Sequence, residues 1–236
     1  MRLDDPALVR TEYADPRRFD VRRAVWAGAD GVDPLDVALG ALAEVAPRRV
    51  LEVGCGDGAL AERIEQELGA EVVAIDQSAE MVARARTRGI AAAVGDAQAL
   101  DAPAGSFDCA VAAWMLYHVP ARGRALAELA RVLRPEGRLV AVTNSEANLH
   151  ELWSLCGPAA RRIHPFSAEN GADQLSSHFP RVERRDVVGT VTFPSFAAAH
   201  RYVSASLTRA HLADRLPDFA GPLRATRAVA VFVADR

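Results

Sequence analysis

Three glycines at alternate positions, Gly54, Gly56 and Gly58, follow an apolar run that carries one acidic residue, Glu52. Cys55 lies between the first two. A glycine-rich turn between a strand and a helix lets the backbone approach a ligand closely, because a Cβ there would collide with it. Taken alone, such a turn fits a dinucleotide fingerprint or, less well, a simple tight strand–helix connection. Two features separate these. The spacing is G-x-G-x-G rather than the G-x-G-x-x-G of a pyrophosphate site. A carboxylate two positions before the first glycine would repel a pyrophosphate and attract an ammonium or sulfonium.

Two further acidic residues recur at matching places. Asp76 ends a second apolar run 24 residues after Glu52, and Asp96 ends a third one 20 residues later. A carboxylate at the first of these positions can accept hydrogen bonds from both ribose hydroxyls of an adenosine, and Gln77 beside it can pack against the base. Asp96, next to Ala97, can accept from an exocyclic amine. Any one of these aspartates is as readily a helix cap or turn former. Together they put negative charge at the carboxyl ends of neighbouring strands, where open α/β sheets bind ligands.

A fourth apolar run ends in residues 114–120, Trp-Met-Leu-Tyr-His-Val-Pro. His118 is the candidate general base, since an imidazole titrates near neutrality. It is equally able to satisfy a backbone carbonyl or cap the next helix, and both readings stay open. Tyr117 is a pocket wall or hydroxyl donor, and Trp114 a pocket or core residue. Near the N-terminus Tyr13, Phe19 and Trp26 interleave with Arg17, Arg18, Arg22 and Arg23. That pattern fits an amphipathic lid that excludes water on closure, or a solvated arginine face with docked aromatics. The histidines at 150, 164 and 200 lack ligand spacing, and no metal is expected.

The elements that must position these groups are legible as alternation. Short apolar runs near 48–53, 71–76, 90–94, 106–114 and 137–144 alternate with amphipathic stretches at 59–68, 79–88 and 124–133. Ser78 caps the second of these helices and Gly89 stops it. Asp33-Pro34 opens an earlier helix. This alternation implies a doubly wound parallel sheet over 48–144. Beyond it, helical material near 147–155, 166–179 and 197–207 and strands at 181–193 and 226–235 are expected.

The sequence motifs LEVGCGDG, VVAID, GDAQALDAPAGSFDCAVAAWMLYHV and ELARVLRPEGRLVAVT, in this order and spacing, resemble those of class I S-adenosylmethionine-dependent methyltransferases, the methyltransferase type 11 small-molecule group among them. The resemblance covers about residues 48–143. It implies a mostly parallel seven-stranded Rossmann-like α/β sheet, S-adenosyl-L-methionine as cofactor and S-adenosyl-L-homocysteine as product. It also implies that Glu52, Gly54, Cys55, Gly56, Gly58, Asp76, Gln77, Met81, Asp96, Ala97 and Trp114 bind the cofactor. The segment from Tyr13 to Pro16 with its arginine-rich sequel resembles the helical lid of a bacterial subgroup. Residues 164–171 and 202–204 resemble that subgroup's C-terminal half. The organisation expected is a single domain, with lid 1–47, cofactor core 48–144 and substrate-side half 145–236. The expected reaction is methyl transfer to oxygen or nitrogen of a small molecule, in secondary metabolism. An RNA-modifying enzyme, with Arg161-Arg162 beside the pocket, and a non-catalytic cofactor-binding subunit are the rival readings.

Composition narrows the rest. The 236 residues carry 28 basic and 31 acidic side chains, a net charge of −3, which argues against a large nucleic-acid partner. Every basic residue is arginine, which excludes a lysine Schiff base and a lysine-dependent phosphate loop. Half the residues are hydrophobic and mean hydropathy is +0.01, as in a globular protein with a substantial core. Three scattered cysteines and no apolar leader point to a cytoplasmic protein, a monomer or homodimer without membrane attachment.

Overall fold

A computed structural model describes residues 3–157, 160 and 164–236. The chain begins with two helices, α1 (Pro6–Ala14) and α2 (Pro16–Ala24), and a third, α3 (Pro34–Ala43), follows a short 3-10 turn. All three open in the same way. Asp5, Asp15 and Asp33 sit at the N-caps, accept bonds from N–H groups of the first turn, and are each followed by a proline that needs no partner there. The sequence reading picked out only the third of these signals.

Alternation then sets in: β1 (Arg49–Val53), α4 (Ala59–Leu68), β2 (Glu71–Asp76), α5 (Ala79–Thr87), β3 (Ala92–Val94), β4 (Phe107–Ala113), α6 (Arg122–Val132) and β5 (Leu133–Asn144). The second half adds α7 (His150–Leu155), α8 (Gly171–Ser176), β6 (Arg181–Phe193), α9 (Phe196–Ser204) and β7 (Leu223–Asp235). The strands form one seven-stranded open sheet in the order β3-β2-β1-β4-β5-β7-β6. Neighbours from β3 to β5 run parallel, and β7 runs antiparallel to both β5 and β6. The mostly parallel seven-stranded α/β sheet expected from the sequence is therefore present. β4 is buried along almost its whole length, as its unbroken apolar run requires of a strand covered on both faces.

Two apolar layers sandwich the sheet. Leu39, Leu42, Ile64 and Val82 of α3, α4 and α5 pack on one face, and Leu126, Leu129, Phe166 and Phe179 on the other. A third cluster, built on Trp153, Val191, Phe193, Val203 and Leu212, rises beyond the carboxyl edge of the parallel strands. Leucine and phenylalanine burial of this kind contributes roughly 2 kcal/mol per side chain. No helix among the described residues is long and apolar enough to cross a membrane.

Some elements differ from expectation. The turn expected at 134–137 is absorbed into β5: pairing jumps from Phe107↔Leu133 to Cys109↔Arg138, so the extra residues bulge out. Glu136 takes a left-handed φ of 65° there. The helix expected over 166–179 shrinks to six residues, because Asn170 Oδ1 holds the Ser167 N–H in a turn before it. The helix near 147 starts late for a similar reason. Glu169 accepts from the Ser145 hydroxyl and the Glu146 N–H, locking a turn ahead of α7.

Candidate active site

The carboxyl ends of the parallel strands, the N-terminal helices and the third apolar cluster enclose a cavity of about 930 Å³. Most of the sequence-predicted residues line it: Glu52, Gly54, Cys55, Gly56, Asp76, Gln77, Asp96, Ala97, Trp114, Tyr117, His118, Tyr13, Phe19 and Trp26. Gly58 and Met81 stand behind the wall instead. A Cβ on Gly58 would lie 2.9 Å from the Ala85 Cβ, so this glycine serves the contact between the loop and α5. Met81 is fully buried on α5, with its N–H bonded to the Ser78 hydroxyl.

The glycine loop is held by backbone conformation and by one carboxylate. Gly54, Gly56 and Gly58 all have positive φ, between 55° and 78°. Asp76 Oδ2 accepts from the Gly56 N–H at 2.9 Å, and its Oδ1 accepts from the Ser78 N–H at 2.9 Å. Asp76 thus ties the loop after β1 to the end of β2. Each of its oxygens keeps a lone pair for a ligand hydroxyl. Asp96 accepts from the Gln98 N–H and amide in its own turn, at 2.8 and 3.0 Å, and remains exposed to the cavity. Trp114 adopts φ 52°, and its indole N–H donates to Asn144 Oδ1 at 3.0 Å.

Glu52 is the least comfortable group. It is 2% exposed on β1, and its Oε2 has no hydrogen-bond partner among the described residues. Burial, aided by the neighbouring Asp76 carboxylate, pushes its pKa up to about 8. An unpaired buried carboxylate costs several kcal/mol unless a cation meets it. S-adenosylmethionine fits these residues. Its ammonium or sulfonium would answer Glu52, its ribose hydroxyls the spare lone pairs of Asp76, and its amino acid portion the glycine cradle. A pyrophosphate fits poorly against the same carboxylates. Cys55 brings no nucleophile, since burial pushes its thiol far up.

The other end of the cavity is aromatic and basic. Tyr13 Oη lies 3.0 Å from His118 Nε2, and His118 Nδ1 lies 2.9 Å from the Leu3 carbonyl oxygen. A carbonyl only accepts, so Nδ1 carries the proton, and Nε2 of the neutral ring accepts the Tyr13 hydroxyl proton. Burial lowers the His118 pKa to about 4 and raises the pKa of Tyr13. Tyr117 stacks edge-on against His118 with centroids 4.5 Å apart, and burial holds its hydroxyl protonated.

The lid arginines divide between the two expectations for them. Arg22 pairs with the buried Glu12 and donates to the Ala205 carbonyl, while Arg23 pairs with the buried Asp57. Arg17 stays exposed on its local partner Asp15. The Phe19 ring reaches within 3.5 Å of where a Gly56 Cβ would stand, so the lid rests on the glycine loop. Sequence reasoning missed Glu12, Leu3, Asn144, Arg209 and Arg227 in the wall. None of these stood out in the sequence; Arg227 shares its strand with two other charged residues, Arg224 and Asp235. Arg161 and Arg162 lie outside the described residues.

Comparison with known proteins agrees with this geometry. Residues 51–141 match a family described as a methyltransferase domain. An uncharacterized methyltransferase of Mycobacterium bovis is 34% identical over 136 residues, which are 53% of this chain and 68% of that protein. A ubiquinone biosynthesis O-methyltransferase of Xanthomonas oryzae pv. oryzae is 38% identical over 149 residues, covering 57% of this chain and 62% of that one. Among solved structures, the Burkholderia thailandensis 1,6-didemethyltoxoflavin-N1-methyltransferase, crystallised with its substrate and S-adenosylhomocysteine, superposes with a TM-score of 0.60 at 22% identity, over 98% of this chain and 88% of that one. With its glycine cradle, its acidic strand ends and these relatives, the chain belongs to the class I S-adenosylmethionine-dependent methyltransferases.

Proposed function

We propose that this methyltransferase binds S-adenosyl-L-methionine at the acidic end of the cavity and methylates a hydroxyl oxygen of a small molecule at the aromatic end. The observation that carries the choice of oxygen is the chain Tyr13–His118–Leu3. A hydroxyl is a weak nucleophile until its proton leaves, and this chain gives the proton a path, although burial lowers the His118 pKa and makes the imidazolium short-lived. When bound, the sulfonium supplies an activated methyl group and a neutral leaving thioether. As the acceptor oxygen takes the methyl, its proton passes to Tyr13 Oη and the Tyr13 proton passes to His118 Nε2. The resulting imidazolium keeps its Nδ1–H on the Leu3 carbonyl.

In this reading Glu52, the loop from Gly54 to Gly58, Asp76, Gln77, Asp96 and Ala97 hold the cofactor, and Trp114 borders the methyl group. Tyr117 keeps His118 in orientation, and Phe19 and Trp26 close the lid over the acceptor. The chain acts as one methyltransferase domain. The kinship to an enzyme named for O-methylation in ubiquinone biosynthesis supports a small-molecule hydroxyl. The net charge of −3 supports it over RNA, which would need a basic groove.

The test is turnover with hydroxylated aromatic acceptors. His118→Asn and Tyr13→Phe are each expected to lower kcat roughly a hundredfold or more, with S-adenosylhomocysteine affinity held within threefold as the criterion. Wild-type rates in both variants would return the pair to a structural role.

A further inference from the structure

We propose that Arg227 receives a carboxylate of the methyl acceptor, so that the acceptor is an organic acid. The inference rests on the reading of the cavity as a methyl-transfer site, and it names the acceptor's chemical class.

Arg227 is 4% exposed and lines the cavity from β7. Among the described residues only its Nη2 is engaged, donating to the backbone carbonyls of Asp30 at 3.0 Å and Val32 at 2.6 Å. Its Nε has no partner among the described residues. The Asp30 carboxylate is turned to Arg224, 3.8 Å away, and gives Arg227 nothing. Three other arginines of the cavity wall carry their own carboxylate, Arg22 with Glu12, Arg23 with Asp57, and Arg63 with Asp36 and Glu67, while Arg209 lies over the Trp153 ring and bonds to His164. A buried guanidinium with no counter-charge is costly, and an anion that completes it is correspondingly well held.

The seat is also built for this side chain. Gly189 pairs with Arg227 across β6 and β7, and a Cβ at Gly189 would lie 2.8 Å from Nη2 and 3.1 Å from Nε. The guanidinium therefore lies over a residue that only glycine fills. The two carbonyls occupy a single amino group, leaving the other for a ligand, while Nε is buried.

Its position suits the acceptor and not the cofactor. Arg227 and Val229 alternate onto the same face of β7, and both line the cavity. Val229 pairs with Asn144, which receives the Trp114 indole N–H at the end of β4. From β4 to β7 is two strand spacings, roughly 10 Å, the length of a small hydroxylated acid. From β1, where Glu52 faces the ammonium, it is three spacings, roughly 14 Å. The ammonium and carboxylate of the cofactor share one carbon, so that carboxylate stays near Glu52 and out of reach of Arg227.

The test is calorimetry on the full chain saturated with S-adenosylhomocysteine, titrated with para-hydroxybenzoate and para-hydroxyphenylpropanoate and with the carboxamide of each. The wild type is expected to bind at least one acid roughly tenfold or more tighter than its amide. Arg227→Gln is expected to erase that preference and leave S-adenosylhomocysteine affinity unchanged. Acids and amides binding alike, or no acid binding at all, would overturn the proposal. So would an Arg227→Gln protein that weakens S-adenosylhomocysteine as much as it weakens the acid. If the variant fails to fold, the acid–amide comparison in the wild type decides alone. Failure of S-adenosylhomocysteine itself to bind would instead remove the cofactor reading beneath.

Discussion

Glu52 and His118 are displaced from their ordinary titration in opposite senses, and each displacement has a measurable consequence. The Glu52 carboxyl, raised to about 8 by burial, is largely protonated at pH 7. A cationic ligand selects the ionised form, so cofactor binding is expected to release a proton below pH 8 and to tighten as pH rises toward it. Calorimetry in buffers of different ionisation enthalpy reads this directly, and Glu52→Gln is expected to abolish the release. The same shift acts on stability. The raised pKa makes Glu52's contribution fully present below about 4.5, the ordinary glutamate value, and lost as pH climbs through about 8. His118, lowered to about 4, contributes stability that is present above about 6.5 and lost as pH falls through about 4. Its ring protons are accordingly expected to show no NMR titration between pH 5.5 and 8. A midpoint near 6.5 would mean that the ring is not desolvated by the lid. At this scale the sequence marked Glu52, Asp76 and His118 by type and spacing. It did not mark the Tyr13–His118 bond, whose partners stand 105 positions apart and meet only once the lid is placed.

The lid helices and the strand that closes the sheet carry the next level. α1 and α2 are anchored by polar contacts more than by burial: Glu12 with Arg22, the Leu207 N–H on Glu12 at 2.7 Å, Arg23 with Asp57, and Arg84 with Asp20. Glu12 is 6% exposed, and removing it strands Arg22. Glu12→Ala is expected to cost roughly 3 kcal/mol of local stability, seen as faster amide exchange across α1 and α2 and as lower turnover with the core still folded. Exchange confined to α7 or α9 would contradict this anchoring. Element types were legible from periodicity and caps over the cofactor half, where each helix has an apolar stripe and each strand an apolar run. They were less legible at the β5 bulge and at α8, because tertiary pairing across β4 and side chains such as Glu169 and Asn170 decide those boundaries. Local propensity does not report such partners.

For the molecule as a whole, a net charge of −3 conceals a division within one cavity. Glu52, Asp76 and Asp96 make one end acidic, while Arg209 and Arg227 stand at the other. This polarity gives the site two compartments, a cation pocket over the parallel strands and an anion-tolerant pocket under the lid and beside the antiparallel strand. Composition could not show it, since it arises from which strand ends meet. If the three acidic strand ends surround a sulfur nucleoside, calorimetric titration of S-adenosylhomocysteine into wild-type and Asp76→Ala protein will show it. One site per chain with proton uptake by buffer at pH 7 is expected in the wild type, and at least tenfold weaker binding in the variant, as roughly two charge-assisted hydrogen bonds demand. An absence of heat at saturating nucleoside, or equal affinity in both proteins, would contradict it.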